Sequence, residues 1–503
     1  GDGFVFEDGT PVRFWGTNCV AGAAFPDHAT AAKVAGMIAR SGFNLVRFHH
    51  MDADWAAPNI FDLAGSTYDK PTRQLSAESL DRLDYFVAEL KRNGVYVMFD
   101  LLVHRRFSAE DLQSRPDPEN GAKETAMFDP LLWDLQCEYA TQLLTHKNPY
   151  TGNRYVDEPA LVLSECINES SLFYPWGLRS MKQDRPYYYN ELIGLLEGWW
   201  CKEKGHPVPE GDLADLLEQG NAVVCEFLYD VQTSYFQRLR ELLRSLGYRV
   251  PIAGSNHWER HVGDLRSNAM LDWIDTHNYW DHPQGGFSPT NLFNNSSTLR
   301  ANGHNLASYL AIMQVVDKPL TISEWNCVWP NEYLIEGPLL MAATCAIQGW
   351  DGPMQFSWGT YYDDINRMEG CFENWNKSHF MAAGLPAALL LRRGDLPMAD
   401  WGWVEPLSDD PTRFFEPPLS SAPDGEYLRS AIGSSLDGLK VEEPGPERRD
   451  VRLDRELGVL LVDTTRSQGA VFFLADKLTE TSLLAIKVEE TPFCQVFLSS
   501  LDS

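Results

Sequence analysis

No stretch of about 18 consecutive apolar residues occurs, the minimum for a membrane-spanning helix, so no such span is expected. No Cys-x-x-Cys pair exists among nine cysteines, an odd number. Cys19, Cys166, Cys327 and Cys494 sit in apolar, strand-like sequence, and buried free thiols are expected rather than a disulfide framework. His-Glu-x-x-His is missing, and neither His49-His50 nor His277…His282 has a recognised ligand spacing, so no metal is expected. The Gly-x-Ser-x-Gly elbow of serine hydrolases is also missing. The first apolar run ends Trp15-Gly-Thr-Asn18 with a single glycine, too few for a dinucleotide-binding loop. No cofactor is implied. Basic residues are scarce: 42 Lys and Arg against 71 Asp and Glu leave a net charge of −29. That field repels nucleic acid and anionic membranes and favours a neutral ligand, although it also serves solubility alone.

The chain starts at Gly1 with no apolar leader. Secretion or periplasmic export after removal of a signal peptide is compatible with this, and so is a cytoplasmic location. Nothing in the sequence marks an oligomeric state.

What is present is an ordinary globular composition over 503 residues, 44% hydrophobic and 22% charged. Two domains are expected. Over residues 1–395, eight short apolar runs alternate with helical sequence: 12–18, 43–48, 95–100, 159–166, 249–254, 271–276, 319–324 and 352–358. Between the second and third, Ser76 is a plausible N-cap, Leu80, Leu83, Val87 and Leu90 recur at helical spacing, and Asn93-Gly94 stops the helix. Alternating βα units with apolar strands predict a parallel sheet covered on both faces. Eight of them predict an α/β fold, a (β/α)8 TIM barrel with long βα loops over 104–130, 170–226 and 277–303. A doubly wound open sheet is the runner-up. Over residues 396–503, Pro417-Pro418, Pro444-Gly-Pro446 and Gly469 punctuate β-rich runs with no helices between them, which predicts a C-terminal antiparallel β-sandwich.

Two glutamates end such runs: Glu169 in Ser-Glu-Cys-Ile-Asn168-Glu169, and Glu324 in Thr-Ile-Ser-Glu324. Carboxylates at C-terminal strand ends sit where a parallel barrel keeps its chemistry. A pair of them suits glycosidic bond cleavage, in which one acts as acid and the other as nucleophile or base. Such a pair needs unlike surroundings, because the acid must stay protonated while its partner stays ionised. Asn168 stands beside Glu169. Arg47, near the end of the second strand, is placed to hold Glu324 ionised. His277 and Tyr279 share a face at period two on the sixth strand, and Trp358 on the eighth would give an apolar floor.

Asn-Glu ending strand four, His-x-Tyr ending strand six, Glu ending strand seven and Trp ending strand eight resemble the clan A glycoside hydrolases, most of all glycoside hydrolase family 5, the cellulase and mannanase family. The likeness runs over about residues 10–395 in order and spacing. It implies a retaining β-glycoside hydrolase acting on a neutral β-linked oligo- or polysaccharide, gluco- or manno-configured. Glu169 would be the acid/base and Glu324 the nucleophile. Arg47, Asn168, His277 and Tyr279 would support them, and Trp358 would line the sugar site. His104 resembles the family's substrate-contacting histidine on strand three, and His49 or His50 is expected to face the site. Trp258, Trp280, Trp325 and Trp329 follow strand ends, with nothing to choose among them as sugar platforms. Ser170 stands where the family often has proline. A transglycosylase would share every one of these residues, and a non-catalytic carbohydrate-binding barrel is the rival from another class. The long segments after strands four and six would wall one end of a cleft, which favours exo action or cleavage of short oligosaccharides.

Overall fold

The computed structural model describes residues 3–62, 70–119, 122–284, 292–362, 370–419, 425–473, 478–491 and 493–501. The first eight strands are β1 Gly16–Val20, β2 Leu45–His49, β3 Tyr96–Asp100, β4 Leu161–Glu165, β5 Ile252–Ala253, β6 Ile274–Trp280, β7 Leu320–Cys327 and β8 Gly352–Gly359. They form one sheet in the order β5-β4-β3-β2-β1-β8-β7-β6, paired in parallel throughout. Helices connect them, and the sheet curls into the predicted barrel. The helix Ala77–Arg92 shows how local sequence sets its limits. The Ser76 side chain accepts a hydrogen bond from the Ser79 amide, and Gly94 leaves the helix at φ +74.

Period-two alternation divides each strand between two cores. Val46 and Phe48, Val97 and Phe99, and Ile322 and Trp325 join the helices' Leu83, Phe86, Val87 and Leu90 in the outer layer. Leu45, Met98, Leu163, Ala253 and Met354 meet Phe14 and Trp273 in a separate apolar floor inside the barrel. Two residues further along β2, β3 and β4, on the same inward face, stand Arg47, Asp100 and Glu165, all buried. The barrel interior thus changes from apolar floor to charged layer within one step of the pleat.

Two segments differ from expectation. β4 ends at Glu165, so Glu169 lies four residues beyond the strand rather than at its end. The segment 170–226 is mostly helical, with Pro175–Asp184, Pro186–Leu195, Leu196–Trp200, Cys201–Lys204 and Leu213–Glu218 before the long helix Ala222–Ser245. Of the segment after β6, residues 285–291 lie outside the described residues. All nine cysteines are free thiols, and no helix among the described residues is long and apolar enough to cross a membrane.

The C-terminal part is a β domain of three sheets. β9 Trp401–Pro406, β10 Ala431–Ser435 and β11 Val441–Glu442 form one, in which β9 and β10 run parallel. β12 Val451–Asp454, β13 Val459–Asp463, β14 Ser467–Phe473 and β17 Phe493–Ser499 form an antiparallel sheet, and β15 Leu478–Glu480 pairs with β16 Ala485–Lys487. This domain is fastened to the barrel side by buried polar contacts. The Gln348 amide donates to the carbonyls of Tyr427 and Ser430, each at 2.6 Å, and Val315 bridges Ser434.

Candidate active site

The charged layer is organised around one guanidinium. Arg47 Nη1 donates to Glu324 Oε1 at 2.7 Å and to Asn18 Oδ1 at 3.3 Å. Nε donates to Asp100 Oδ1 at 2.9 Å, and Nη2 to Glu165 Oε2 at 3.0 Å and Asn168 Oδ1 at 2.8 Å. Removing such a hub would leave buried carboxylates without a counter-charge.

Glu324 is aimed at this hub by an irregularity in β7. Thr276 pairs with Ile322 and His277 with Glu324, so Ser323 is an extra residue between paired positions. A bulge of this kind re-aims side chains. Ser323 Oγ meets His277 Nε2 at 2.9 Å inside the barrel, and Glu324 also faces inward, where strict alternation would have sent it out. Both Glu324 oxygens are engaged. Oε1 faces Arg47 and, at 3.1 Å, His49 Nε2; Oε2 accepts from the Tyr279 hydroxyl at 2.5 Å.

Glu169 is placed by backbone. Its amide donates to Asn256 Oδ1 at 2.7 Å, and its φ is +45, a left-handed conformation that costs an L-residue about 1–2 kcal/mol. Its Oε1 is 2.8 Å from His277 Nδ1, and its Oε2 is 3.7 Å from Lys123 Nζ. His277 Nδ1 also lies 3.6 Å from Glu324 Oε2. One carboxylate oxygen of Glu169 and one of Glu324 lie within 4.8 Å of each other. Glu169 and Glu324 with His277 could be counted as a cation-ligand set. The guanidinium 2.7 Å from Glu324 and the hydroxyl on its other oxygen oppose that use.

The titratable groups are arranged unevenly. Burial raises the Glu169 carboxyl, but the hydrogen bond from His277 and the charges of Lys123 and His277 outweigh it and hold the group well below the usual carboxylate range. Burial lifts Glu165 far above that range, the Arg47 charge opposing it and Asp100 adding to it. Glu165 Oε1 is buried with no hydrogen-bond partner, while Oε2 accepts from Arg47 and Asn256. Burial also raises Asp100 against the pull of Arg47. Burial and Arg47 push His49 well below its ordinary value. His49 Nδ1 lies 2.5 Å from Asp100 Oδ2 and Nε2 lies 3.1 Å from Glu324 Oε1, so the ring bridges the two carboxyl groups.

The structure gathers Glu169, Glu324, Arg47, His49, Asn168, His277 and Tyr279 in one network. His104 stands at its edge, a third exposed, with Nδ1 3.4 Å from Asp54 and its ring 6.0 Å from His50. Trp358 is a correction. It is 1% exposed and packs edge-on against Phe43 in the outer layer. Strict alternation would put it on the same face as Phe356, but β8 breaks register between Gln355, opposite Thr17, and Gly359, opposite Cys19, and Trp358 falls within that break. Phe356, two residues earlier, takes the interior position, with ring centroids 5.8 Å from His49 and 6.0 Å from Tyr279. Sequence reasoning also missed Asn18, Asn256, Ser323 and Lys123. Asn256 Nδ2 donates to Glu165 Oε2 at 2.9 Å and to Asn168 Oδ1 at 3.1 Å, so it ties both residues to the loop after β5. A lone loop amide or lysine gives no periodic signal by which to find it.

No protein-family model and no curated protein matches the sequence. Solved structures do. An endo-β-1,4-mannanase from Thermotoga petrophila superposes with a TM-score of 0.50 at 14% identity, covering 79% of this chain and 82% of that one. A glycoside hydrolase family 5 mannosidase from Rhizomucor miehei gives a TM-score of 0.50 at 11% identity, over 78% and 96% of the two chains. At such identities the likeness is one of fold.

Proposed function

We propose that this protein is a retaining β-glycoside hydrolase acting on a neutral, β-linked gluco- or manno-configured oligo- or polysaccharide. The observation that carries the reading is the approach of Glu169 and Glu324 to within 4.8 Å in unlike surroundings. Carboxyl groups about 5–5.5 Å apart leave no room for a water between nucleophile and anomeric carbon, so the second carboxylate attacks directly. Glu324 is held from both oxygens by Arg47, His49 and Tyr279, which fits a nucleophile whose trajectory must be fixed. Glu169 is more open, with its side chain 24% exposed against 6% for Glu324, which fits an acid/base that meets both leaving group and water.

In the first step a Glu324 oxygen bonds to the anomeric carbon while Glu169 gives its proton to the departing glycosidic oxygen. In the second, water attacks that carbon, Glu169 takes the water's proton, and Glu324 leaves as carboxylate. Glu169 is ionised at neutral pH in the unliganded protein, so the acid form arises on binding, when the sugar displaces water and strengthens the burial effect. In this reading residues 1–395 carry the reaction and residues 396–503 brace the barrel, with a preference for chain ends or short oligosaccharides. The test is a panel of gluco- and manno-configured β-glycosides with wild type and Glu324→Ala. Loss of turnover in the variant, with azide rescue to a glycosyl azide of inverted configuration, is expected. Activity that survives in Glu324→Ala would refute the assignment, and early release of long oligomers from a polysaccharide would refute the exo preference.

A further inference from the structure

Next to Asn256, which anchors the Glu169 backbone, stands a histidine that the mechanism above does not use. His257 is buried, and its Nδ1 accepts the Glu259 amide at 3.1 Å. An accepting Nδ1 places the ring proton on Nε2, and that atom is buried with no hydrogen-bond partner. An unpaired buried donor costs about 1–3 kcal/mol unless something meets it. Over this ring lies an uncovered aromatic surface. Trp258 stacks on His257 at 4.4 Å, and Tyr174 packs 4.8 Å from His257 and 5.8 Å from Trp258. Trp176 continues the surface 5.8 Å beyond Tyr174. Trp176 is 66% exposed and Trp258 40%. Tyr174 and Trp176 come from the helical insertion after Glu169, Trp258 from the loop after β5. Adjoining exposed rings of this kind mark a ligand surface.

We propose that His257, Trp258, Tyr174 and Trp176 form the leaving-group side of the site, binding a pyranose ring of the departing oligosaccharide. The proposal rests on the glycosidase reading. The side is fixed by chemistry: the acid/base stands over the glycosidic oxygen, so groups beside Glu169 and away from Glu324 face the aglycone. On the interior side, Arg47, His49 and Tyr279 already occupy both oxygens of Glu324. A pyranose presents C–H groups on its ring faces, which pack on indole and phenol rings, and hydroxyls at its rim, one of which would accept from Nε2–H. Burial pushes the His257 pKa down to about 3, against the raising effect of Glu169 and with Lys123, His261 and His277 also lowering it. The ring therefore stays a neutral donor across the working range. The insertion, which looks like a wall from sequence, becomes one half of a binding surface.

The test separates substrates that have an aglycone ring from one that has none. Wild type, His257→Ala and Trp176→Ala are assayed on β-linked di- to tetrasaccharides and on the β-glycosyl fluorides of the same glycones. Trp176 is exposed, so its variant folds even where His257→Ala does not. The expected result is a fall of about tenfold or more in kcat/KM on the oligosaccharides, carried mainly by KM, with the fluorides within about twofold of wild type. An equal fall on both substrates, or none on the oligosaccharides, overturns the proposal. Wild type that turns over neither class overturns the glycosidase reading itself, and this proposal with it.

Discussion

Lys123 offers the most direct test of how Glu169 is tuned. Its Nζ stands 3.7 Å from Glu169 Oε2, with the lysine side chain 10% exposed and the glutamate 24%. Two unit charges at that distance interact by about 4.5 kcal/mol at an effective dielectric constant of about 20, and by about 1 kcal/mol in bulk water. A quarter of Glu169 is open to solvent, so the lower end applies. The neutral variant Lys123→Met removes this attraction. The charged form of Glu169 loses a stabilising partner, so the carboxyl keeps its proton to higher pH. A general acid that stays protonated longer stays active longer. The acid form arises in the complex, so the basic limb of kcat should move to higher pH by about one unit, since 1.36 kcal/mol corresponds to one unit. The assay is the pH dependence of kcat at saturating substrate on an unactivated oligosaccharide, with an aryl glycoside of an acidic phenol alongside, whose departure needs little protonation. The limb should move for the first substrate and stay for the second. A limb that stays put, or moves down, on the oligosaccharide would refute the assignment of Glu169 as acid or of Lys123 as the cation that tunes it.

Four further variants test contacts described above. Tyr279→Phe removes a hydrogen bond to a carboxylate worth about 1.5–3 kcal/mol, so kcat should fall by about 10- to 150-fold while the melting temperature changes little. Arg47→Leu leaves Asp100, Glu165 and Glu324 without their shared cation and should cost about 3–5 kcal/mol of stability in denaturant unfolding, along with activity. Trp358→Ala should cost about 3–5 kcal/mol as a core truncation, and Phe356→Ala should act mainly on KM. The reverse pattern would restore Trp358 to the sugar site.

The fold was legible because its signal is redundant. Eight apolar runs separated by helical sequence describe a barrel even if one is misjudged, and β5, two residues long, shows how little of any single strand is required. The glutamate pair was legible because carboxylates after such runs are conspicuous. What stayed hidden has physical causes. The bulge at Ser323 breaks period two without a glycine or proline to announce it, and it alone brings Glu324 inward. The register break on β8 between Gln355 and Gly359 leaves Phe356, not Trp358, at the interior, and an aromatic-rich run does not declare it. Glu165, Lys123, Asn256 and His257 matter through contacts between segments far apart in the chain, which no local pattern encodes.

The Arg47 hub has a consequence beyond the chemistry. One side chain reaches Asn18, Asp100, Glu165 and Glu324, and so joins the tops of five strands: its own β2 together with β1, β3, β4 and β7. The relative positions of those strands are settled beneath the loops, by a cross-brace to which the loops contribute only Asn168. Insertions can then be accepted, lengthened or exchanged above it without shifting Glu324, as the helical segment 170–226 illustrates. In the glycosidase reading, such a division separates the loops that would choose the sugar from the residues that would break the bond.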